Sequence, residues 1–238
     1  MPSLKGSVVL VTGANRGIGT HFVRDALQRG AAKVYASART PQNWADERVV
    51  ALRLDVTDQA SIDAAVAAAP DVTVLVNNAG ASPPGFELLG ADDVAVRATM
   101  ETNFFGPLFL TRAYAPLLTG REGAAIVDMH SALSWYAGAG IYSASKAALW
   151  SATNSLRLEL GPRGVHVVGV HVGWVDTDMA VPAGPDEPKT DPAELVRMVH
   201  DAVETDRYEV LADDSAQQAK AALSGPLEAL YPQLRATS

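Results

Sequence analysis

The sequence predicts an α/β fold, a doubly wound parallel sheet of about seven strands with helices on both faces. Three observations predict it. Short runs rich in Val, Ile and Leu alternate with longer helix-like stretches along the 238 residues. The runs are continuously apolar, which marks strands covered on both faces and hence a parallel sheet. The first run also leads straight into a glycine-rich turn and then a helix, the order a phosphate-binding strand–turn–helix unit requires.

Taken in order, "SVVLVT" (7–12) is the first strand, followed by a helix near 17–29. "KVYASA" (33–38) and "VVALRLD" (49–55) are the second and third strands, with a helix near 58–69 after them. "VTVLVNN" (72–78) precedes one long helical stretch, 91–118. "AAIVDM" (124–129) leads to a helix over 141–161. "VHVVGVHV" (165–172) leads to a helix over 191–205, and "YEVLA" (208–212) is the seventh strand. A last helix over 213–224 opens a helical tail that runs to 238. No internal repeat breaks the pattern, so 1–238 is expected to be one domain. The Pro/Gly-rich stretch "AVPAGPDEPKTDP" (180–192) is too short for a domain linker and reads as a functional loop.

Composition narrows the function. The net charge is −8, and lysines and arginines are scattered without a basic run. That argues against nucleic acid and anionic membrane as partners. The absence of cysteine excludes disulfides, thiolate catalysis and cysteine-ligated metal centres; no metal site is expected. The apolar run near the N-terminus is too short for a secretory signal, and no stretch approaches the ~20 apolar residues of a membrane helix. The expectation is a soluble, cytoplasmic protein.

Three motifs carry chemistry. In "TGANRGIGT" (12–20), Gly13, Gly17 and Gly19 allow a tight turn and close approach of backbone to a ligand. The following helix offers free N–H groups and its positive dipole end to a pyrophosphate. At the end of the second strand, where an acidic residue would bond a ribose 2′-OH, stand Ala38 and Arg39. Arg39 and Arg16 together suit a 2′-phosphate, with Ser37 as a further hydroxyl. Asp55, at the end of the third strand, is placed for an adenine amino group or for a turn or helix cap. "NNAG" (77–80) ends the fourth strand, on the side of a parallel sheet where ligands bind. In "IYSASKAALW" (141–150), Tyr142 and Lys146 share a helix face one turn apart. A phenol is a poor proton donor at neutral pH, and a nearby ammonium stabilises the phenolate.

TGxxxGxG, NNAG and YxxxK, in this order and at these intervals, resemble the short-chain dehydrogenase/reductase family from Ser7 to about Val210. The resemblance implies a Rossmann fold, a nicotinamide cofactor, and homodimers or homotetramers built on two long helices. The cofactor set it implies is Gly13, Asn15, Arg16, Gly17, Ile18, Gly19, Ser37, Arg39, Asp55, Val56, Asn78, Ala79, Gly80, Tyr142, Lys146, Gly173, Val175 and Thr177; the two arginines favour NADP(H). It also implies a catalytic group of Asn103, Ser131, Tyr142 and Lys146. The family usually places its serine about thirteen residues before the tyrosine. That position here is Met129, so the role falls to Ser131 across a shortened loop, with Ser134 in reserve. His130, next to it, reads as a strand-end histidine outside the proton path. Asn103 reads as a helix amide that holds a proton-relay water or caps a local kink. Val172 stands where the family commonly has proline, before Gly173.

The implied activity is reversible reduction of a ketone or aldehyde. The rival is a non-catalytic NADP(H) sensor or scaffold, which needs no catalytic group. Trp135, Tyr136, Trp174 and Met179 fall on loops expected to rim the substrate pocket and suggest an apolar carbonyl compound, or else pack in the interior. Residues 178–192 are a candidate lid.

Overall fold

The computed structural model describes residues 2–83, 85, 87–180 and 186–237, with side chains to 234. Seven strands, β1 (Val8–Thr12), β2 (Lys33–Ala38), β3 (Val49–Arg53), β4 (Val74–Asn77), β5 (Ala125–Met129), β6 (His166–His171) and β7 (Glu209–Leu211), form one sheet. Its order is β3-β2-β1-β4-β5-β6-β7 and every pairing is parallel. The order reverses beside β1, so the crevice between the carboxyl ends of β1 and β4 is the ligand-binding edge of such a sheet.

Continuous apolar strands are needed because both faces are covered. Along β1, Val9 and Val11 point to one face and Leu10 to the other. The first face packs on helices α1 (Ile18–Gln28) and α6 (Pro192–Glu204) through Phe22, Val23, Leu195 and Val199. The second packs on α2 (Gln59–Ala68), on α4 (Gly106–Leu118) and on the end of α5 (Gly140–Leu160) through Ile62, Leu110, Tyr114 and Leu160. Each such side chain contributes about 1.5–3 kcal/mol on burial. Carboxylates cap the helices where the chain leaves the sheet. Asp58 accepts from Ala60 N–H, Asp92 caps α3 (Asp93–Met100), Asp191 caps α6, and Asp213 caps α7 (Asp214–Ala222).

One expectation changes. The helical stretch 91–118 is not a single α-helix: α3 passes into a π turn, Glu101–Phe105, before α4. Pro107 has no N–H to return to the Asn103 carbonyl, so the ladder widens and Gly106 N–H bonds the Glu101 carbonyl instead. The turn carries Asn103 inward, almost fully buried. The tail contains α7 and a short α8 (Leu227–Leu230). Residues 181–185 of the expected lid lie outside the described residues. No helix among the described residues is long and apolar enough to cross a membrane, and no described group of three or more His, Cys, Asp or Glu could hold a metal ion.

Candidate active site

The site gathers at the carboxyl ends of β1, β4, β5 and β6. The glycine turn comes first. Gly13 and Gly17 take positive φ of 66° and 53°, which disfavours any side chain there. A Cβ on Gly19 would lie 2.2 Å from the Gly13 carbonyl oxygen, so the first turn of α1 sits directly on the loop. Gly17 is the N-cap of α1 and brings no side-chain cap. The helix therefore opens with unbonded N–H groups and a positive dipole end, the chemistry that receives a pyrophosphate. The cradle fits a dinucleotide.

Thr12 ties this turn to NNAG. Its hydroxyl accepts from the N–H groups of Asn78 and Ala79 at 2.9 Å each, and Asn78 donates its amide to the Thr12 carbonyl at 2.8 Å. Asn15 is a brace for the neighbouring loop, since its amide bonds the Thr40 carbonyl at 2.7 Å and accepts from Gln42 N–H. Thr177 closes the other side: a Cβ on Gly17 would lie 3.3 Å from its methyl carbon. Val175 is held by a bridge to Thr190, and Gly173 by its N–H to Asp213 at 2.7 Å. A Cβ on Gly173 would lie 2.3 Å from the Ser215 hydroxyl, so a side chain there would displace the first turn of α7 or the Ser215 side chain.

At the adenosine end, Arg16 and Arg39 are exposed, and neither forms an ion pair among the described residues. Ser37 is a correction. It is fully buried and its hydroxyl is committed to the Val11 carbonyl of the neighbouring strand at 3.0 Å. Asp55 accepts from the Thr57 N–H and hydroxyl. Burial raises its pKa, but those bonds and the nearby Arg39 and Arg53 outweigh it, and the net shift is downward. Val56 packs against Gly106 at the start of α4.

The catalytic candidates converge. A Cβ on Gly80 would lie 3.5 Å from Asn103 Oδ1 and 3.8 Å from Lys146 Nζ, so NNAG, the π turn and α5 meet at one point. Asn103 clamps that junction. Its Oδ1 accepts from Ala81 N–H at 2.8 Å, and its amide donates to the Ala81 carbonyl at 2.9 Å and to Ser145 at 3.1 Å. Ser131 caps a short 3₁₀ turn, Ala132–Ser134; its hydroxyl accepts from Leu133 N–H at 3.2 Å and sits 3.4 Å from the Val172 carbonyl. Ser134 is committed to the reciprocal half of that capping box, which leaves Ser131 as the serine facing Tyr142.

Tyr142 is half-buried and Lys146 buried. Burial pushes the Tyr142 phenol up to about 12, and the Ser131 hydroxyl pulls the other way. Burial pushes Lys146 down to about 8, with Asp128 opposing. The expected lowering of the phenol by the ammonium is absent here. Lys146 Nζ lies 5.7 Å from the Tyr142 ring centroid and donates to the Met129 carbonyl at 2.7 Å. One helical turn puts the two stems together but does not aim the ammonium at the phenol oxygen.

The expected pocket rim divides. Trp135 is a correction: it is buried, stacked flat on His171 at 3.7 Å and edge-on to Trp150 at 6.0 Å. It packs behind Ser131 because the 3₁₀ turn reverses the chain inward at that point. Tyr136 and Met179 are exposed and Trp174 is half-buried. The tail supplies Tyr231, whose ring stacks on Tyr136 at 5.4 Å and whose hydroxyl accepts from Ala137 N–H at 3.0 Å. Sequence reasoning missed Thr12, Asp213 and Tyr231. A hydroxyl before the first glycine and an aspartate capping α7 are readable signals; the Tyr136–Tyr231 pairing spans 95 positions and has none.

A parallel sheet with a phosphate-binding turn at its reversal point, and a tyrosine, lysine and serine at one crest, defines a dinucleotide-dependent oxidoreductase. The short chain dehydrogenase family model matches residues 7–188, and the chain belongs to that family. A short-chain dehydrogenase of Penicillium crustosum, PC-15, is 38% identical over 186 residues, covering 71% of this chain and 66% of that relative. The structure of a short chain dehydrogenase from Burkholderia cenocepacia in complex with NADP is 37% identical, with a TM-score of 0.89 and coverage of 98% of this chain and 99% of that one. NADPH-bound carbonyl reductase from chicken fatty liver is 28% identical with a TM-score of 0.78, covering 90% and 96%.

Proposed function

We propose that this chain is an NADP(H)-dependent carbonyl reductase that interconverts an apolar ketone or aldehyde and its alcohol. The observation that carries this is the meeting of Tyr142, Ser131 and Lys146 at the crest beside the uncapped start of α1. The NADP and NADPH found in the two similar structures support the cofactor. The glycine turn with Ile18 would hold its pyrophosphate, and Arg16 and Arg39 its 2′-phosphate. Asp55 and Val56 would meet the adenine, Asn78 to Gly80 the adenosine ribose, and Gly173, Val175 and Thr177 the nicotinamide amide.

When bound, the nicotinamide supplies or accepts the hydride. The chain handles the proton. Tyr142 donates it to the substrate oxygen in reduction and takes it back in oxidation. The Ser131 hydroxyl, loosely held at 3.4 Å from the Val172 carbonyl, turns to bond the same oxygen. Lys146, mainly an ammonium at neutral pH with a pKa of about 8, keeps N–H donors for the ribose hydroxyls. Asn103 holds the junction of NNAG and α5 in register. Tyr136, Tyr231, Trp174 and Met179 give the entrance its apolar character. The same reading takes 1–238 as one cytoplasmic domain that self-associates through α4 and α5, where Leu158 is 80% exposed.

The test is loss of NADPH absorbance across a panel of ketones and aldehydes, with NADH in parallel. Turnover with NADPH and little with NADH supports the reading. Tight NADPH binding without turnover of any carbonyl would replace it with the sensor or scaffold role.

A further inference from the structure

The chain leaves β6 and β7 side by side at the cleft, and one carboxylate joins the two exits. His171 pairs with Leu211, and the ladder runs on for one more bond, from Ala212 N–H to the His171 carbonyl at 2.9 Å. Two residues beyond that pair on each strand stand Gly173 and Asp213. Asp213 keeps an extended backbone, φ −148° and ψ 173°, before the chain turns into α7. The two exits touch: a Cβ on Gly173 would lie 2.3 Å from the Ser215 hydroxyl and 3.1 Å from Asp213 Oδ2.

The two oxygens of Asp213 serve different partners. Oδ1 caps α7, accepting from Ala216 N–H at 2.9 Å and from the Ser215 hydroxyl at 2.8 Å. Oδ2 accepts from Gly173 N–H at 2.7 Å and, more weakly, from the Thr190 hydroxyl at 3.4 Å. A helix cap needs one acceptor oxygen, and serine caps about as well as aspartate. The second oxygen is what a carboxylate adds, and here it goes to the chain leaving β6.

Thr190 extends the hold. Its N–H bonds the Trp174 carbonyl at 2.8 Å, its carbonyl accepts from Asp176 N–H at 3.0 Å, and it forms a bridge with Val175. At the far end of this run, the Thr177 methyl lies 3.3 Å from the Cβ position of Gly17. Residues 173–177 are therefore strung across the cleft. Asp213 holds one end, Thr190 the middle, and the start of α1 meets the other end. Gly173 has no side chain to anchor it and the freest backbone of any residue, so the Oδ2 bond is its restraint. Among the described residues, Asp213 has no hydrogen bond to Tyr142, Lys146 or the glycine turn, so it acts through the chain it holds.

We propose that Asp213 is a positioning residue for the nicotinamide end of the cofactor. Its Oδ2 fixes Gly173 and, with Thr190, the run Gly173–Thr177 on which the nicotinamide amide is received. This rests on the proposed function, which assigns Gly173, Val175 and Thr177 to that amide.

Two variants separate the clamp from the cap. Asp213→Ala loses both. Asp213→Ser restores the cap on α7, but its hydroxyl ends one atom short of the Oδ2 position and does not reach Gly173 N–H. Each is titrated with NADPH and with 2′-phospho-ADP-ribose, which carries every part of the cofactor except the nicotinamide. Both variants should bind NADPH on the order of 10-fold more weakly than the parent, with affinity for the fragment unchanged. Asp213→Ser should recover the Tm that Asp213→Ala loses without recovering NADPH affinity, and its kcat should stay below the parent's. Ser215→Ala, which takes one donor from Oδ1 and leaves Gly173 bonded, should match the parent in both affinities. Recovery of NADPH affinity in Asp213→Ser would show that Asp213 is a helix cap and nothing more. Equal losses for NADPH and the fragment would show a general loosening of the cleft. Either result overturns the proposal. If the parent turns over no carbonyl compound at all, the proposed function fails, while the two titrations still decide the clamp.

Discussion

The Lys146 ammonium donates to the Met129 carbonyl at 2.7 Å, at the end of β5, instead of meeting the Tyr142 hydroxyl. The bond anchors a buried cation, but one backbone carbonyl replaces little of the water it has lost, and the pKa falls from 10.5 to about 8. Below pH 8 the ammonium is charged in both folded and unfolded chains, and its burial costs on the order of 3 kcal/mol. Between pH 8 and 10.5 the unfolded chain binds the extra proton, so stability from this group rises with pH and the cost is gone above that window. Lys146→Met should therefore be more stable than the parent in denaturant at pH 7 without cofactor, and the gain should fade by pH 10.5. A pH-independent difference would contradict this.

Tyr142→Phe removes the proposed proton donor while leaving the ring in place. Turnover should fall by roughly 10²–10⁴-fold. The Kd for NADPH, followed by fluorescence, should change little, since most of the cofactor's contacts lie elsewhere. Unchanged turnover would remove Tyr142 from the mechanism.

Arg16→Ala and Arg39→Ala each remove a guanidinium that the proposed function assigns to the 2′-phosphate. Each should weaken NADPH binding by about 10- to 100-fold, with little effect on NADH. The double variant should bind the two cofactors with similar affinity. A loss shared equally by NADPH and NADH would assign the arginines to another part of the cleft.

Gly19→Ala places a methyl 2.2 Å from the Gly13 carbonyl, so the glycine turn must shift. NADPH binding should be lost even where the protein still folds. Gly161→Ala is the control: nothing lies within 4 Å of its Cβ position and its φ is −55°. It should be neutral or raise stability by up to about 1 kcal/mol. Equal effects of the two on cofactor affinity would refute the close-packing account.

Asn103→Asp keeps the acceptor for Ala81 N–H but turns a second oxygen toward the Ala81 carbonyl, 2.9 Å away in the parent. Two donated bonds are lost in a buried site, and stability should fall by about 2 kcal/mol or more, read as a lower Tm. An unchanged Tm would show that Asn103 does not clamp this junction.

Several parts of the site were legible because their signals are local. The glycine turn, NNAG and the Tyr142–Lys146 pair each lie within a few residues, and the strands that carry them follow the apolar runs to within two residues at either end. Ser131 and Ser134 are the two hydroxyls in "SALS", and the capping box that they share emerges only when the 3₁₀ turn forms. Ser37 and Trp135 misled the reading. A serine one residue before Ala38 and a tryptophan on a loop look accessible in one dimension, yet the pleat of β2 and the inward reversal of the 3₁₀ turn bury both.

The sequence alone determined the sheet, because continuous apolar strands separated by helices can hide both faces in few other ways. It also determined the dinucleotide turn, because only glycine tolerates Gly13 and Gly17 at positive φ. What only the tertiary structure decided are the partners of the polar groups. Lys146 pairs with Met129 and not with Tyr142, Asn103 with Ala81 across 22 positions, and Tyr136 with Tyr231. His130 and His171, 41 positions apart, come within hydrogen-bond distance of each other, and His171 within that of the Ser131 carbonyl. Hydrophobic periodicity is a property of neighbouring residues and survives in the sequence. Hydrogen-bond direction depends on which distant groups the register brings within about 3 Å, and only the folded sheet sets that.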